Sequence, residues 1–207
     1  MVNFACLRRN NMKRSVLIFV AILAVTSIKA QSKLNADEQF YSQNYDEILS
    51  LFNEECPVLE YSDDKNMTFE YGLIDLDGDG IKELWIKDSS GENGAFFCRG
   101  NDKIEIIATT WFKSFASVSG NVLCTSGPAG AGAFFSAYYV IENSSIAHHA
   151  FDMQMYNLET DKMSHECEYD GNEVTWKWFK KFKSPFEKKL VAPEHNDWQP
   201  FDRLKNN

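Results

Sequence analysis

Acidic side chains recur at alternate positions in one glycine-containing segment, residues 75–83. Positions 1, 3, 5 and 9 carry carboxylates and position 7 offers a main-chain carbonyl, which gives the candidate metal ligands Asp75, Asp77, Asp79, Ile81 and Glu83. Alternate residues of a tightly turning loop can direct oxygens to one centre, and Ca²⁺ takes about six to eight oxygen ligands. Gly78 and Gly80 permit the backbone angles that such a turn requires. The spacing therefore predicts a calcium site, because a flexible, oxygen-rich loop suits calcium better than magnesium.

Charge repulsion also favours a filled loop. The four carboxylates would repel one another and resist ionisation without a counter-ion. The alternatives are a solvated hairpin tip that binds nothing and a site for another cation. An EF-hand is excluded, because its twelfth position needs a bidentate Glu between two helices, whereas Ile86 stands there between strand-like flanks.

The residues around this loop match a known cation-binding pattern. The segment YGLIDLDGDGIKELWI, residues 71–86, resembles the D-x-D-G-D-G-x-x-[DE] loop of integrin-type FG-GAP and related VCBS repeats. It is also similar to small exported bacterial proteins with one such loop between an N-terminal helix and a series of strands. The resemblance implies a loop that joins two antiparallel strands and binds calcium through its acidic positions. The chain has a single loop of this kind, so a full propeller is not implied.

The elements around the loop are predicted from hydrophobic periodicity. Apolar residues at helical spacing between Tyr41 and Phe52 predict an N-terminal amphipathic helix from Asn35 to Cys56, which Pro57 ends. The period then changes to two and predicts strands separated by short polar turns. The predicted strands cover residues 67–75, 83–88, 95–99, 103–109, 115–118, 122–125, 134–142, 146–156, 165–169 and 173–179.

These elements predict an α+β fold class. We expect the N-terminal helix to pack on a meandering, curved or two-layered antiparallel β-sheet built from hairpins. A short second helix is expected to begin at Ser184, with Pro185 in its first turn. The expected organisation is one domain over residues 31–191, followed by a polar, loosely held tail over residues 192–207.

The first thirty residues are typical of a secretory signal peptide. Basic residues precede an apolar run from Ser15 to Ile28, which is shorter than the roughly 18 residues of a membrane-spanning helix. Cleavage is expected after Ala30, or alternatively after Ser27, and Met12 is an alternative start. The sequence therefore predicts a secreted or periplasmic protein with no membrane span after cleavage.

Charge and cysteine content limit the partners and the cross-links. The 207-residue chain has 21 basic and 30 acidic residues, a net charge of −9; without residues 1–30, 16 basic residues remain against 30 acidic ones, a net charge of −14. This acidity argues against nucleic-acid binding, which needs a cationic surface. Export would allow disulfides, but a chain of this length can also keep its thiols buried and free. The cysteines concerned are Cys56, Cys98, Cys124 and Cys167.

Other constellations give weaker predictions. His165 and Cys167 would lie on one face of a strand and could together bind a soft metal ion. We favour the alternative, in which His165 is a surface residue and Cys167 is buried or forms a disulfide. Four tryptophans offer either a ligand-stacking platform or core packing: Trp85, Trp111, Trp176 and Trp178. Lysines between residues 177 and 189 form either a solvated face, which we favour, or a partner site.

The function expected from these features is binding rather than catalysis. The leading hypothesis is an exported calcium-binding domain that presents a surface to a protein or glycan. The alternative is a secreted hydrolase, glycosidase-like, in which calcium is structural and two carboxylates are catalytic. A third hypothesis is an inhibitor or immunity-type partner of an exported enzyme.

Overall fold

The computed structural model describes residues 36–56, 68–89, 93–101, 103–111 and 113–205. The predicted signal peptide, with its cleavage sites and the alternative start at Met12, lies outside these residues. So do Asn35 and Pro57, the expected ends of the first helix. None of the helices in the described ranges has the length and apolar composition needed to cross a bilayer.

Two antiparallel sheets and a few short helices make up the described chain, which confirms the α+β mixture. Residues 36–43 are helical and are followed by α1 (Tyr45–Glu55), α2 (Trp176–Glu187) and α3 (Phe201–Leu204). The strands are β1 (Phe69–Ile74), β2 (Glu83–Asp88), β3 (Gly94–Gly100), β4 (Lys103–Thr110), β5 (Phe115–Ser119), β6 (Val122–Pro128), β7 (Ala133–Glu142), β8 (Ser145–Asn157), β9 (Lys162–Tyr169), β10 (Asn172–Val174) and β11 (Gln199–Pro200). The expected hairpins β3–β4, β5–β6, β7–β8 and β9–β10 are all present.

The first sheet has the strand order β11-β1-β2-β3-β4 and is covered by helices on one face. Successive residues of β2 point to opposite faces. Leu84 and Ile86 pack with α1 and α3, whereas Trp85 between them packs towards the second sheet. The apolar stripe of α1, including Ile48 and Phe52, is thereby buried against this sheet.

The second sheet has the strand order β10-β9-β8-β7-β6-β5 and lies between the first sheet and α2. Leu123 of β6 packs with Phe96 and Ile107 of the first sheet. Its neighbours Val122 and Cys124 belong to the cluster on the other face, which α2 covers. The layers therefore follow in the order α1, first sheet, second sheet, α2, and the two longer helices lie on opposite outer faces.

Helix α2 differs from the sequence prediction. The alternation of Trp176 and Trp178 predicted a strand over residues 173–179, but β10 ends at Val174 and α2 begins at Trp176. The Thr175 hydroxyl caps the helix by accepting a hydrogen bond from the Trp178 N–H (3.3 Å). Phe179 follows Trp176 at helical spacing and is fully buried, so packing overrides the local two-residue alternation. The predicted helix start at Ser184 was wrong, because this residue lies inside α2.

The C-terminal segment is also packed more closely than expected. Gln199 and Pro200 pair with β1 as β11, and α3 buries Phe201 and Leu204 in the core of the first sheet. The Phe201 ring stacks on Tyr45 of α1, with ring centroids 4.9 Å apart. The prediction of a loosely held tail was therefore wrong for residues 199–204, because its two apolar side chains complete the first core.

The segment after α2 borders the second sheet at its edge. Val191 and Val118 of β5 exchange two main-chain hydrogen bonds, of 2.7 and 3.0 Å. Part of the outer edge of β5 is therefore paired.

The four cysteines outside the predicted signal peptide are free and buried. Burial raises the pKa of the Cys56, Cys98 and Cys167 thiols to about 12. Of the two possibilities that the sequence left open, the described structure contains the buried-thiol arrangement.

Replacing the α2 cap tests the observed start of this helix. We expect Thr175→Ala to lower the free energy of unfolding by about 1 kcal/mol, because the Trp178 N–H loses its acceptor. The measurement is chemical denaturation followed by circular dichroism. Ser184→Ala is the matched control and is expected to change stability by less than about 0.5 kcal/mol. The reverse ranking would favour a helix that starts at Ser184.

A candidate cation site at the junction of the two sheets

The acidic loop connects two paired strands of the first sheet. It follows Ile74 at the end of β1 and reaches Glu83 at the start of β2, and these two residues are register partners. Gly78 and Gly80 have φ angles of 77° and 83°, a region that favours glycine. The expectation that the loop joins two antiparallel strands is confirmed.

Three of the predicted ligands converge. Asp75, Asp77 and Glu83 each offer one carboxylate oxygen, and these oxygens lie within 4.8 Å of one another. Asp79 is not in this group; its Oδ1 accepts a hydrogen bond from the Ile81 N–H (2.6 Å). Ligation by Asp79 and by the Ile81 carbonyl stays a prediction.

Main-chain amides hold the loop carboxylates in place. Asp75 accepts hydrogen bonds from the Gly78 N–H (2.7 Å) and the Gly80 N–H (3.0 Å). Asp77 Oδ1 accepts from the Asp79 N–H (3.1 Å). These bonds all form within six consecutive residues, so they hold the loop locally around its acidic side chains.

Glu83 is the buried member of the group. Its side chain has 0% exposure, its Oε2 accepts from the Leu76 N–H (2.8 Å), and its Oε1 accepts from the Ser144 hydroxyl (2.6 Å). Its pKa is raised to about 7, mainly by burial; the nearby Asp77 carboxylate acts in the same direction, while the hydrogen bonds from Ser144 and Leu76 act in the opposite direction. A positive charge nearby would therefore favour the ionised form of this carboxylate.

Ser144 brings the second sheet to the site. It lies in the two-residue turn between β7 and β8, where Asn143 and Ser144 both have a φ of 52°. Its hydroxyl donates to Glu83, and its main-chain N–H donates to Asp77 Oδ2 (3.2 Å). The sequence indicated only a polar turn here, because the contact joins residues 61 positions apart. Two of the three carboxylates are thus bound to the opposite sheet.

The helical residues 36–43 support the other side of the loop. The buried Asp37 accepts a hydrogen bond from the Lys82 N–H (3.2 Å), and the Tyr41 hydroxyl donates to the Lys82 carbonyl (2.9 Å). Burial raises the pKa of Tyr41 well above its ordinary value, so this hydroxyl stays a donor. The loop is therefore fixed from three directions, by its own strands, by this helix and by Ser144.

His165 and Cys167 share a strand face as expected, but a carboxylate joins them. The fully buried Asp152 contacts His165 Nδ1 (3.0 Å) and accepts from Cys167 Sγ (3.4 Å). Trp176 stacks on the His165 ring, with ring centroids 3.5 Å apart. Burial and the Asp152 contact together raise the Cys167 pKa to about 12, which opposes thiolate chemistry at this cysteine.

A second polar feature is a cleft of about 270 Å³ beside β1. Its charged and polar lining includes Glu38, Lys82, His195, Asp197 and Arg203. The His195 ring occupies the space where a side chain at Gly72 would stand: a Cβ there would lie 2.4 Å from a ring carbon. Sequence patterns did not find this cleft, because residues far apart in the chain line it.

The candidate aromatic platform is divided between different parts of the molecule. Trp85 stacks on Phe96 between the sheets, and Trp176 covers His165. Trp178 stacks on Phe182 and is 39% exposed, while Trp111 is 48% exposed. The four rings therefore do not form one surface.

Comparison of the chain with protein-family models, curated proteins and solved structures gave no match. The resemblance of the loop to FG-GAP and VCBS repeats accordingly stays a prediction.

Removing the Ser144 hydroxyl tests the junction. We expect Ser144→Ala to lower the free energy of unfolding by about 1.5–3 kcal/mol, because a buried carboxylate loses a hydrogen-bond donor. Denaturant titration provides the measurement. Ser145→Ala, at the neighbouring position, should stay within about 0.5 kcal/mol of the parent. Equal effects of both substitutions would contradict the role given to Ser144.

Proposed function

We propose that this chain is a calcium-binding domain in which the cation fastens the loop of residues 75–83 to the β7–β8 turn of the second sheet. The observation that carries the proposal is the convergence of the Asp75, Asp77 and Glu83 carboxylates. Export to the periplasm or the cell exterior is part of the proposal, supported by the signal-like residues 1–30.

The chemistry of the three donors supports a divalent, oxygen-seeking ion. Two carboxylates and the buried Glu83 face a common centre, and a cation there would favour the ionised form of each. Calcium needs about six to eight oxygens, so Asp79 and the Ile81 carbonyl are proposed as further ligands. The flexibility of calcium coordination suits a loop whose shape two glycines determine.

The proposed role of the ion is structural. Extracellular calcium modules bind with dissociation constants of about 10⁻⁴–10⁻³ M. At a free calcium concentration about ten times the dissociation constant, linkage stabilises the folded state by about 1.4 kcal/mol. Such a contribution is sufficient to rigidify the contact between the two sheets without requiring the ion to act on a substrate.

Calorimetry of the purified protein in calcium, magnesium or chelator tests this proposal. We expect calcium to raise the melting temperature by about 3–6 °C, because a gain of about 1.4 kcal/mol shifts a domain of this size by that amount. Asp77→Asn should lose the response, since it removes a charged donor.

The control for this measurement is Asp197→Asn, at an exposed carboxylate that lines the cleft beside β1. It should keep the full calcium response. Identical melting curves of the parent in calcium and chelator would overturn the proposal.

We base the proposed non-catalytic binding role on the exposed apolar side chains of the second sheet. Phe115, Phe134, Tyr156 and Met163 are between 41% and 67% exposed. Strand register and side-chain alternation put them on the face that α2 only partly covers. Neutral hydrogen-bonding residues, Ser126 and Gln154 among them, lie in the same rows. Aromatic rings next to neutral polar groups are suited to a protein or glycan ligand.

A hydrolase is the second candidate, and the cleft beside β1 favours it. Glycosidases use two carboxyl groups on either side of the scissile bond, and Glu38 and Asp197 both line this cleft. The Tyr71 hydroxyl donates to Glu38 Oε1 (2.6 Å) and would hold that carboxylate in position.

Hydrolysis of a panel of chromogenic glycosides tests this candidate. If the chain is a glycosidase, Glu38→Gln should abolish turnover, because the cleft loses one of its two carboxyl groups, while Glu47→Gln on the outer face of α1 should not. Absence of turnover by the parent protein across the panel would leave the binding role as the supported function.

A further inference from the structure

Helices α1 and α2 carry opposite charges on their exposed sides. Of the eleven residues of α1, four are acidic and none is basic. The acidic residues, all exposed, are Asp46, Glu47, Glu54 and Glu55. Helix α2 and the two residues after it carry six lysines and one glutamate. Five of these lysines are exposed: Lys177, Lys180, Lys181, Lys188 and Lys189.

The two charged helices lie on opposite outer faces of the molecule. Helix α1 packs on the face of the first sheet formed by Leu84 and Ile86, whereas α2 packs on the face of the second sheet formed by Val122 and Cys124. The facing sides of the two sheets pack on each other between them. A molecule with this layer order has an acidic helix on one outer face and a basic helix on the other.

We propose that α2 of one copy docks on α1 of a second copy, head to tail. The basis of this proposal is charge complementarity between two helices of similar length, 11 and 12 residues. Trp178 is 39% exposed among the α2 lysines and provides an apolar contact within the charged surface. Because the faces are opposite, a docked copy still presents its own free α1 or α2, so the contact adds further copies rather than closing as a symmetric dimer.

The charge distribution favours a second copy over an extended polyanion. The whole chain has a net charge of −9, and α2 with the two residues after it carries +5, so the remaining residues together carry −14. A nucleic acid would be attracted by one helix and repelled by its surroundings. The exposed side of α1 offers four carboxylates and no basic residue of this helix instead. Exposed ion pairs are individually weak and are screened by salt, so the association is concentration-dependent and lost at high ionic strength.

Sedimentation velocity at two ionic strengths tests the proposal. At about 0.01 M salt the Debye length is about 30 Å, and we expect the weight-average mass of the purified protein to rise roughly twofold or more with concentration. At about 1 M salt, where the Debye length is about 3 Å, the protein should sediment as a monomer.

Two charge-changing variants, one in each helix, test whether α1 and α2 form the contact. The variant K177E/K181E lowers the net charge of α2 and the two residues after it from +5 to +1, and E54K/E55K brings that of α1 from −4 to zero. The Lys177 change puts an acid in the first turn of α2, and the α1 changes put bases in the last turn of that helix, so these suit the helix dipoles. Each variant alone should be monomeric at low salt, because one of its two helices has lost most or all of its net charge and no longer attracts the other. An equimolar mixture should form one-to-one pairs, since the unchanged α1 of K177E/K181E then meets the unchanged α2 of E54K/E55K.

Two features separate this result from a general charge effect. Both variants keep a net negative charge, so overall attraction cannot restore association in the mixture. The control K103E/K162E changes two exposed lysines outside α2 by the same amount and should associate like the parent. The proposal is overturned if the parent stays monomeric at low salt, if either helix variant associates alone, or if the mixture remains monomeric.

Discussion

A buried carboxylate at the meeting point of the two sheets is the constraint on which this structure depends. Glu83 opens β2, has no exposed surface and is bound by a hydroxyl from the β7–β8 turn. A charge in such a place is costly unless hydrogen bonds and a counter-charge offset the loss of water. The loop of residues 75–83 supplies the hydrogen bond from Leu76, and the proposed cation supplies the counter-charge.

The same junction explains why a local loop has a long-range effect. Asp77 lies in the loop between two strands of the first sheet and Glu83 begins β2, but both accept hydrogen bonds from Ser144 in the β7–β8 turn of the second sheet. On the opposite side, Asp37 and Tyr41 bind the main chain of Lys82 and tie the loop to the first helical segment. Apolar contacts hold the layers together, while this polar cluster fixes how their ends meet.

Local patterns were sufficient for the hairpins and for the acidic loop, because both depend on neighbouring residues. Alternation and short polar turns located the strands, and the spacing of Asp75, Asp77 and Glu83 identified the converging carboxylates. The same reasoning failed at Trp176, where the two-residue alternation is equally compatible with one turn of helix and the burial of Phe179 decides. Ser144 was missed because nothing near it in sequence indicates a partner 61 residues away. The packed α3 was missed because two apolar residues in a polar segment give a weak local signal.

The pairing of Val191 with Val118 connects the packing of α2 to the protection of a strand edge, and loss of either would expose the partly folded chain to aggregation. Val191 follows α2 by a few residues and covers part of the outer edge of β5. If α2 detached from the second sheet, the cluster around Phe179 would be exposed, and the pull on the connecting residues would uncover that strand edge as well. An exposed apolar surface and an unpaired strand edge would then be present together, and such an edge can pair with another chain and start aggregation. The packing of α2 on the second sheet therefore protects the protein against aggregation through strand pairing, in addition to stabilising the fold.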